Sequence, residues 1–383
     1  MTGYSMTEIR ERGHPVWAEI DLGAIRHNIG ELQRSAPGAE VMGVVKGYAY
    51  GHGNPATAQA MLQGGATRLG VARVAEGLHL REAGVTAPIH VFTEPPDQAI
   101  DILVDNDLTA TVYTESFARA LSDRGVAADR AIPVHVKLDT GMHRVGLMAS
   151  DVADAIDVLR DLPGIEVEGV WSHLAVADVP DHPFTRKQLE LFDELLARIE
   201  RTGIHIRYRH IANSAAALTI PESHYDIVRC GVASYGLTPG PDLTYAADLR
   251  PALALRARVT LVKRVAAGER LSYGLRYELP HPGNVVTVPA GYADGYDRRL
   301  SDNADVLVGG RRHHVSGTVC MDQFMVDLGD ARAEVGDVVT LIGRDGTEAV
   351  TAEELAERLG TINYEITSRI PSRVPRVYLD EQA

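Results

Sequence analysis

Cysteine is almost missing from this chain: 383 residues contain two, Cys230 and Cys320. They are too few and too far apart for a disulfide framework or a zinc knuckle, so a reducing, cytoplasmic setting is expected. A single disulfide stays open. No stretch reaches the ~18 consecutive apolar residues of a membrane span. Met1 to Pro15 mixes Glu8, Arg10, Glu11 and Arg12 without an apolar segment of secretory length and reads as a loose arm. An excess of positive charge is missing too. With 38 Lys and Arg against 52 Asp and Glu the net charge is −14, which argues against a nucleic-acid groove or an anionic membrane surface as the main partner. Low-complexity tracts are also absent.

What is present is alternation. The length suits a barrel of roughly 250 residues plus a smaller domain. Eight β-rich runs, Glu40–Lys46, Arg68–Ala72, Pro88–Thr93, Thr109–Tyr113, Ile132–Leu138, Val167–His173, Ile206–Ile211 and Asp226–Val232, are separated by helical patterns. One such pattern is Phe184–Arg201, where Leu189, Phe192, Leu195 and Ile199 recur at three- and four-residue steps. Eight βα units in series predict a closed (β/α)8 TIM-type barrel with its chemistry at the C-terminal ends of the strands. After Pro239-Gly240-Pro241 strand-like runs follow without long helices, from Leu253–Val265 through Asn284–Val288, Ala304–Val308, His314–Val319, Phe324–Leu328 and Asp337–Ile342, and predict a C-terminal mainly-β domain. A short helix, Ala352–Leu359, and a strand near Val374–Leu379 close the chain. The expected division is an arm at 1–16, the barrel at 17–242 and the β-rich domain at 243–383, with Trp17–Asp21 able to pair with the latter.

Reactive side chains gather at the predicted strand ends. Lys46 ends the first run and is followed by Gly47-Tyr-Ala-Tyr50-Gly-His-Gly53. A lysine aimed into a pocket from a strand end loses hydration, which lowers its pKa and makes it a nucleophile toward an aldehyde. Lys137, Asp139 and Arg144 follow the fifth run, His173 ends the sixth, Asn213 and Ser214 follow the seventh, and Arg229 and Gly231 end the eighth. A phosphate in such a barrel sits between the last two loops. Ser214, at the start of an apolar helix, and Gly231-Val232 supply both sides, and Tyr50 adds a hydroxyl. Taken alone, Ser214 is an ordinary helix N-cap.

The lysine segment, Asp139-Thr-Gly-Met-His-Arg144, Ser172-His173, Asn213-Ser214 and Val228-Arg-Cys-Gly231 together resemble the alanine racemase family over nearly the whole chain. The resemblance implies pyridoxal phosphate (PLP) held by Lys46, Tyr50, His173, Asn213, Ser214, Arg229, Gly231 and Val232, and a small amino acid as substrate. It implies that Arg229 donates to the cofactor's ring nitrogen, with His173 beside it, and that Arg144 faces the substrate carboxylate or the cofactor's phenolate oxygen. Some members carry a carbamate at the position of Lys137; a plain Lys137–Asp139 pair is the alternative. Leu271-Ser-Tyr273-Gly274, Gly291-Tyr-Ala-Asp-Gly295 and Gly317-Thr-Val-Cys-Met321-Asp322 are also similar to family motifs. They imply that Tyr273 is the second catalytic base, that Asp322 supports the site and Met321 contacts substrate, and that all three come from the partner in a homodimer with shared active sites. Lys46 then takes the α-proton of the D-enantiomer and Tyr273 that of the L-enantiomer.

Two positions depart from the family pattern. Gly47-Tyr48 follows the lysine, and Ser372 stands in Ile370-Pro-Ser-Arg-Val-Pro375 where many members have tyrosine. Less bulk there makes serine or another small amino acid the second candidate substrate after alanine. A barrel-type amino-acid decarboxylase, with Cys320 as its acid, and a non-catalytic PLP-binding protein are the competing readings. No metal site is expected. His313-His314, beside Arg311-Arg312, reads as a solvated basic turn.

Overall fold

The computed structural model describes residues 3–379. They form two compact units. One takes the N-terminal residues up to Ala24, then Tyr50–Ala56, then Pro251 onward; the other takes Ile25–Ala49 and Thr57–Arg250.

The second of these is the barrel. Strands β2 (Glu40–Val44), β3 (Arg68–Val71), β4 (Ile89–Val91), β5 (Thr109–Val112), β6 (Ile132–Lys137), β7 (Ile165–Trp171), β8 (Tyr208–His210) and β9 (Ile227–Cys230) form one parallel sheet, with β2 also paired to β9. Short hydrogen bonds join the last gap: Asp226 N–H donates to the Arg209 carbonyl at 3.1 Å and Arg229 N–H to the Ala212 carbonyl at 3.1 Å. The β-branched, apolar runs of the sequence give strands buried at nearly every position, as a parallel sheet covered by helices requires. The helix Pro183–Glu200 shows why the intervening segments are helical. Proline stands at its first position, and Leu189, Phe192, Leu195 and Ile199 make one buried stripe.

The barrel's interior is unusual in its chemistry. His90, His135, His210, Trp171 and Phe92 fill it alongside aliphatic residues, with Trp171 stacked on His210 at 5.6 Å. The guanidinium of Arg229 and the amine of Lys137 lie over the same indole at 4.8 and 5.0 Å. Such contacts let cations be buried without a carboxylate at hand.

In the other unit, β1 (Val16–Asp21) pairs antiparallel with Leu253–Arg258 and parallel with Arg376–Leu379. The sheet continues through Val338–Asp345 to Asp305–Val308 and Arg311–His314, and a three-stranded sheet, Leu261–Val265, Gly283–Val288 and Phe324–Asp327, accompanies it.

Several expectations need correction. The N-terminal arm is not loose, because Met6–Glu11 is a helix closed by a Ser5/Glu8 capping box and Ile9 is buried with Trp17 and Val377. The strand expected at His314–Val319 lies earlier, at Arg311–His314; Gly317, at φ +90, turns the following residues out of the sheet. His313 and His314 therefore belong to a strand rather than a turn, and Arg312 is tied to Asp305, Glu348 and Glu354. The helix Asn363–Ser368 was not expected at all. Both cysteines are free thiols, which removes the disulfide left open. Among the described residues no helix is long and apolar enough to cross a membrane.

Candidate active site

Lys46 follows the C-terminal end of β2, and the backbone beyond it does something rare. Gly47, Tyr48, Ala49 and Tyr50 have φ of 63, 56, 54 and 52°, a short left-handed turn. Each non-glycine residue in that conformation costs about 1–2 kcal/mol, so neighbours must hold the turn. Glu76 is the chief brace. Its carboxylate accepts from Gly47 N–H at 2.7 Å and from the N–H groups of Ala72 and Arg73 at 2.8 and 3.0 Å, fixing the loop after β2 to that after β3. The only sequence signal for Glu76 was its place as the third residue of a helix.

Burial lowers the pKa of the Lys46 amine, Arg144 and Arg229 lower it further, and Glu76 opposes them. Lys137, at the end of β6, is brought down to about 7, first by burial and then by Arg229, with Asp139 opposing them and Arg144 adding a smaller push. Its amine donates to the Leu138 carbonyl at 2.6 Å. Asp139 is engaged elsewhere: it accepts from Gly141 and His143 N–H at 2.9 and 3.0 Å and lies 3.1 Å from the His143 ring. It thus shapes the loop that carries exposed Arg144, while its charge also favours the protonated form of Lys137.

Arg229 is buried, and each of its hydrogen bonds goes to a neutral acceptor. Nη1 donates to His210 Nδ1 at 3.0 Å, and Nη2 to His173 Nδ1 at 3.0 Å and to the Ser172 and Ile211 carbonyls. Burial, with Arg144 adding to it, pulls its pKa down to about 9. Burial and then Arg229 hold His173 well below its usual range, so the ring is neutral. Because an arginine only donates, the His173 proton is on Nε2.

On the neighbouring strands Asn213, not Ser214, is the N-cap of the helix Ser214–Thr219; its side chain accepts from Ala216 N–H at 3.1 Å. Ser214 Oγ instead accepts from Gly231 N–H at 2.9 Å, clamping the two loops together. Val232 opens a 3₁₀ turn beside them. Tyr50 belongs to the other unit; burial raises its phenol well above the ordinary value, so it remains a donor.

In that other unit three separated motifs converge. Thr318 Oγ1 donates to the Tyr273 carbonyl at 2.7 Å and Ser272 Oγ to the Thr318 carbonyl at 2.7 Å. Tyr292 and Ala293 N–H donate to the Cys320 and Met321 carbonyls. A Cβ at Gly291 would lie 2.3 Å from both carbonyl oxygens, so only glycine allows this approach. The result is an opening of about 560 Å³ lined by Tyr273, Tyr292, Arg298, Thr318, Met321 and Asp322. Tyr273 and Met321 are 74% and 54% exposed there, and Arg373 bridges Asp322 and Asp294 at 2.7 and 2.8 Å.

Profiles of the alanine racemase N-terminal domain and C-terminal domain match residues 20–239 and 252–378. The chain belongs to the alanine racemase family. An alanine racemase of Symbiobacterium thermophilum is 46% identical over 371 residues, covering 96% of this chain and 98% of its own. The crystal structure of alanine racemase from D-cycloserine-producing Streptomyces lavendulae superposes with TM-score 0.90 at 42% identity, over 95% of this chain and 97% of that one. A histidine racemase from Leuconostoc mesenteroides is also similar, at 29% identity and TM-score 0.89, over 96% of this chain and 98% of that one. Against the alanine racemase pattern, Gly47-Tyr48 occupies the left-handed turn and Ser372 is exposed beside Arg373.

Proposed function

We propose that the protein is a PLP-dependent racemase that interconverts L- and D-alanine, with active sites completed by a second copy of the chain. The observation that carries this is Arg229: a buried guanidinium among neutral histidines, in the same barrel as an amine of lowered pKa. A donor with no carboxylate partner fits a pyridine nitrogen that keeps its lone pair. Arg144 and Arg229 together favour an anionic phosphate and substrate carboxylate. When bound, the cofactor supplies the electron sink that makes an α-proton removable.

The chain's own residues then have distinct tasks. Lys46 holds the cofactor and accepts or returns the α-proton on one face, that of the D-enantiomer. Tyr273 of the second copy serves the L-enantiomer on the other face. His173, with its proton on Nε2, is a donor suited to stabilise a phenolate, which a tyrosine needs to act as base near neutral pH. Arg144 receives the carboxylate, Ser214, Gly231, Val232 and Tyr50 the phosphate, and Asn213 orders the loop between them. The exposed apolar surface of Tyr273, Leu275, Tyr292 and Met321 supports the homodimer. Cys320 Sγ, at 3.6 Å from Ser272 Oγ and 3.5 Å from the Thr318 carbonyl, is spoken for in its own loop, which weighs against the decarboxylase. Supply of D-alanine for a bacterial cell-wall polymer, in the cytoplasm, is the role this reading assigns.

The test is incubation of purified protein, PLP and L-alanine in deuterium oxide, following optical rotation and α-hydrogen exchange together. Decay of rotation with exchange is expected; carbon dioxide release or an unchanged substrate ends the reading. A serine kcat/KM close to that for alanine marks Ser372 as having widened the pocket, whereas a far lower one removes that idea.

Lys137 adds a prediction. An amine with a pKa of about 7 is largely neutral just above neutrality, and only the neutral amine attacks carbon dioxide. Carbamate at Lys137 is therefore expected to form with bicarbonate and to accumulate as pH rises through 7. ¹³C-bicarbonate labelling and the intact mass measure it. The mass of unmodified lysine at pH 8 under bicarbonate rules the carbamate out.

A further inference from the structure

The tasks above leave His90, His135 and His210 unexplained, three histidines buried to 2, 0 and 0% exposure inside the barrel. Burial before all else lowers their pKa values, so the rings are neutral, each with one donor and one acceptor nitrogen. Arg229 fixes the order. It can only donate, so His210 Nδ1 accepts at 3.0 Å and the His210 proton is on Nε2. That nitrogen is 2.7 Å from His135 Nδ1, which must accept, leaving the His135 proton on Nε2. His135 Nε2 points to Glu168 Oε2 at 3.4 Å. Four side chains from β9, β8, β6 and β7 thus form one directed chain that ends on a carboxylate.

Room for this chain is built into the backbone, since a Cβ at Gly169 would lie 2.7 Å from His135 Nδ1. The charged groups around Glu168 are Arg207, at 3.6 Å, and Arg68, and its bond to His135 is the first cause of its lowered pKa. A metal ion is the other use for three histidines whose ring nitrogens lie within 4.8 Å of one another. Two of those nitrogens already face each other as donor and acceptor, and a guanidinium stands 3.0 Å from His210. Hydrogen bonding is the better account.

We propose that Glu168 is a positioning residue for Arg229, acting through His135 and His210. Its carboxylate sets the tautomer of His135, which sets that of His210, so that His210 always offers Arg229 an acceptor and holds the guanidinium in one orientation toward the cofactor's ring. This rests on the assignment of Arg229 to that ring.

Selective ¹⁵N-histidine NMR of the holoenzyme, with its cofactor absorbance, tests the chain in Glu168→Leu and Glu168→Gln. The leucine variant removes the acceptor. It should mix the His135 and His210 tautomers, shift the absorbance of the lysine-bound cofactor and lower kcat about tenfold, with little change in KM. The glutamine variant keeps an acceptor but loses the charge; the tautomers should stay and the Nε2–H resonances of both histidines should move upfield. A response that stops at His135, or an unaltered spectrum in both variants, overturns the proposal. Wild-type protein without any lysine-bound cofactor absorbance overturns the functional reading instead, and the histidine resonances still report on the chain. Should the leucine variant fail to fold, the glutamine variant alone decides.

Discussion

Tyr273→Phe yields a protein that exchanges the α-hydrogen of D-alanine with solvent but scarcely racemises either enantiomer. Loss of a positioned base costs about 10²–10⁴-fold, and on the proposed assignment that loss falls on the L-face, which Lys46 does not serve. Exchange into D-alanine persists because Lys46 still removes and returns that proton. Fold stability should change by under about 0.5 kcal/mol, since the bond from Thr318 goes to the Tyr273 backbone carbonyl and phenylalanine keeps the ring. Separate exchange rates for the two enantiomers, beside a melting curve, check it. Equal loss of exchange from both enantiomers would mean that one group serves both faces.

The second large effect is at Lys46. On the proposed assignment Lys46→Ala removes both the attachment point and the D-face base, so racemisation and exchange from either enantiomer are expected to fall by more than about 10⁴-fold. The absorbance of lysine-bound cofactor disappears with them. The fold should not suffer, because Lys46 precedes the left-handed turn and the brace from Glu76 reaches Gly47 N–H, which alanine at 46 leaves in place. Methylamine added to the variant should restore part of the activity, as a free amine takes the vacant chemical role. A variant that stays active without amine would show that another group attaches the cofactor.

The parts of this protein that were legible in its sequence are those governed by short-range pattern. The eight β-rich runs became β2 to β9 because alternation with helical periodicity leaves few other topologies. Arg229 and His173 were legible as strand-end residues, and the structure sets them 3.0 Å apart. What stayed hidden depends on neighbours distant in the chain. His135 and His210 sit within runs that read as ordinary strands, and only the order β6-β7-β8 in the curved sheet brings rings 75 residues apart to 2.7 Å. The helix Asn363–Ser368 is short and rich in β-branched residues; a side-chain bond from Asn363 to Glu353 helps fix it. The strand misplaced at His314–Val319 was lost to Gly317, a glycine at positive φ.

The placement of β1 bears on how the protein is made. Residues 16–21 leave a ribosome before either of their two neighbours in the sheet, Leu253–Arg258 and Arg376–Leu379. The barrel strands lie between Glu40 and Cys230 and can pair as soon as that stretch has been synthesised. The sheet holding β1 must wait until Arg376–Leu379 has been synthesised. During that interval Trp17 and Ile20, fully buried in the finished protein, have no partners. Strand β1 is thus made early and completed late, its sheet closing only after the whole barrel segment has left the ribosome.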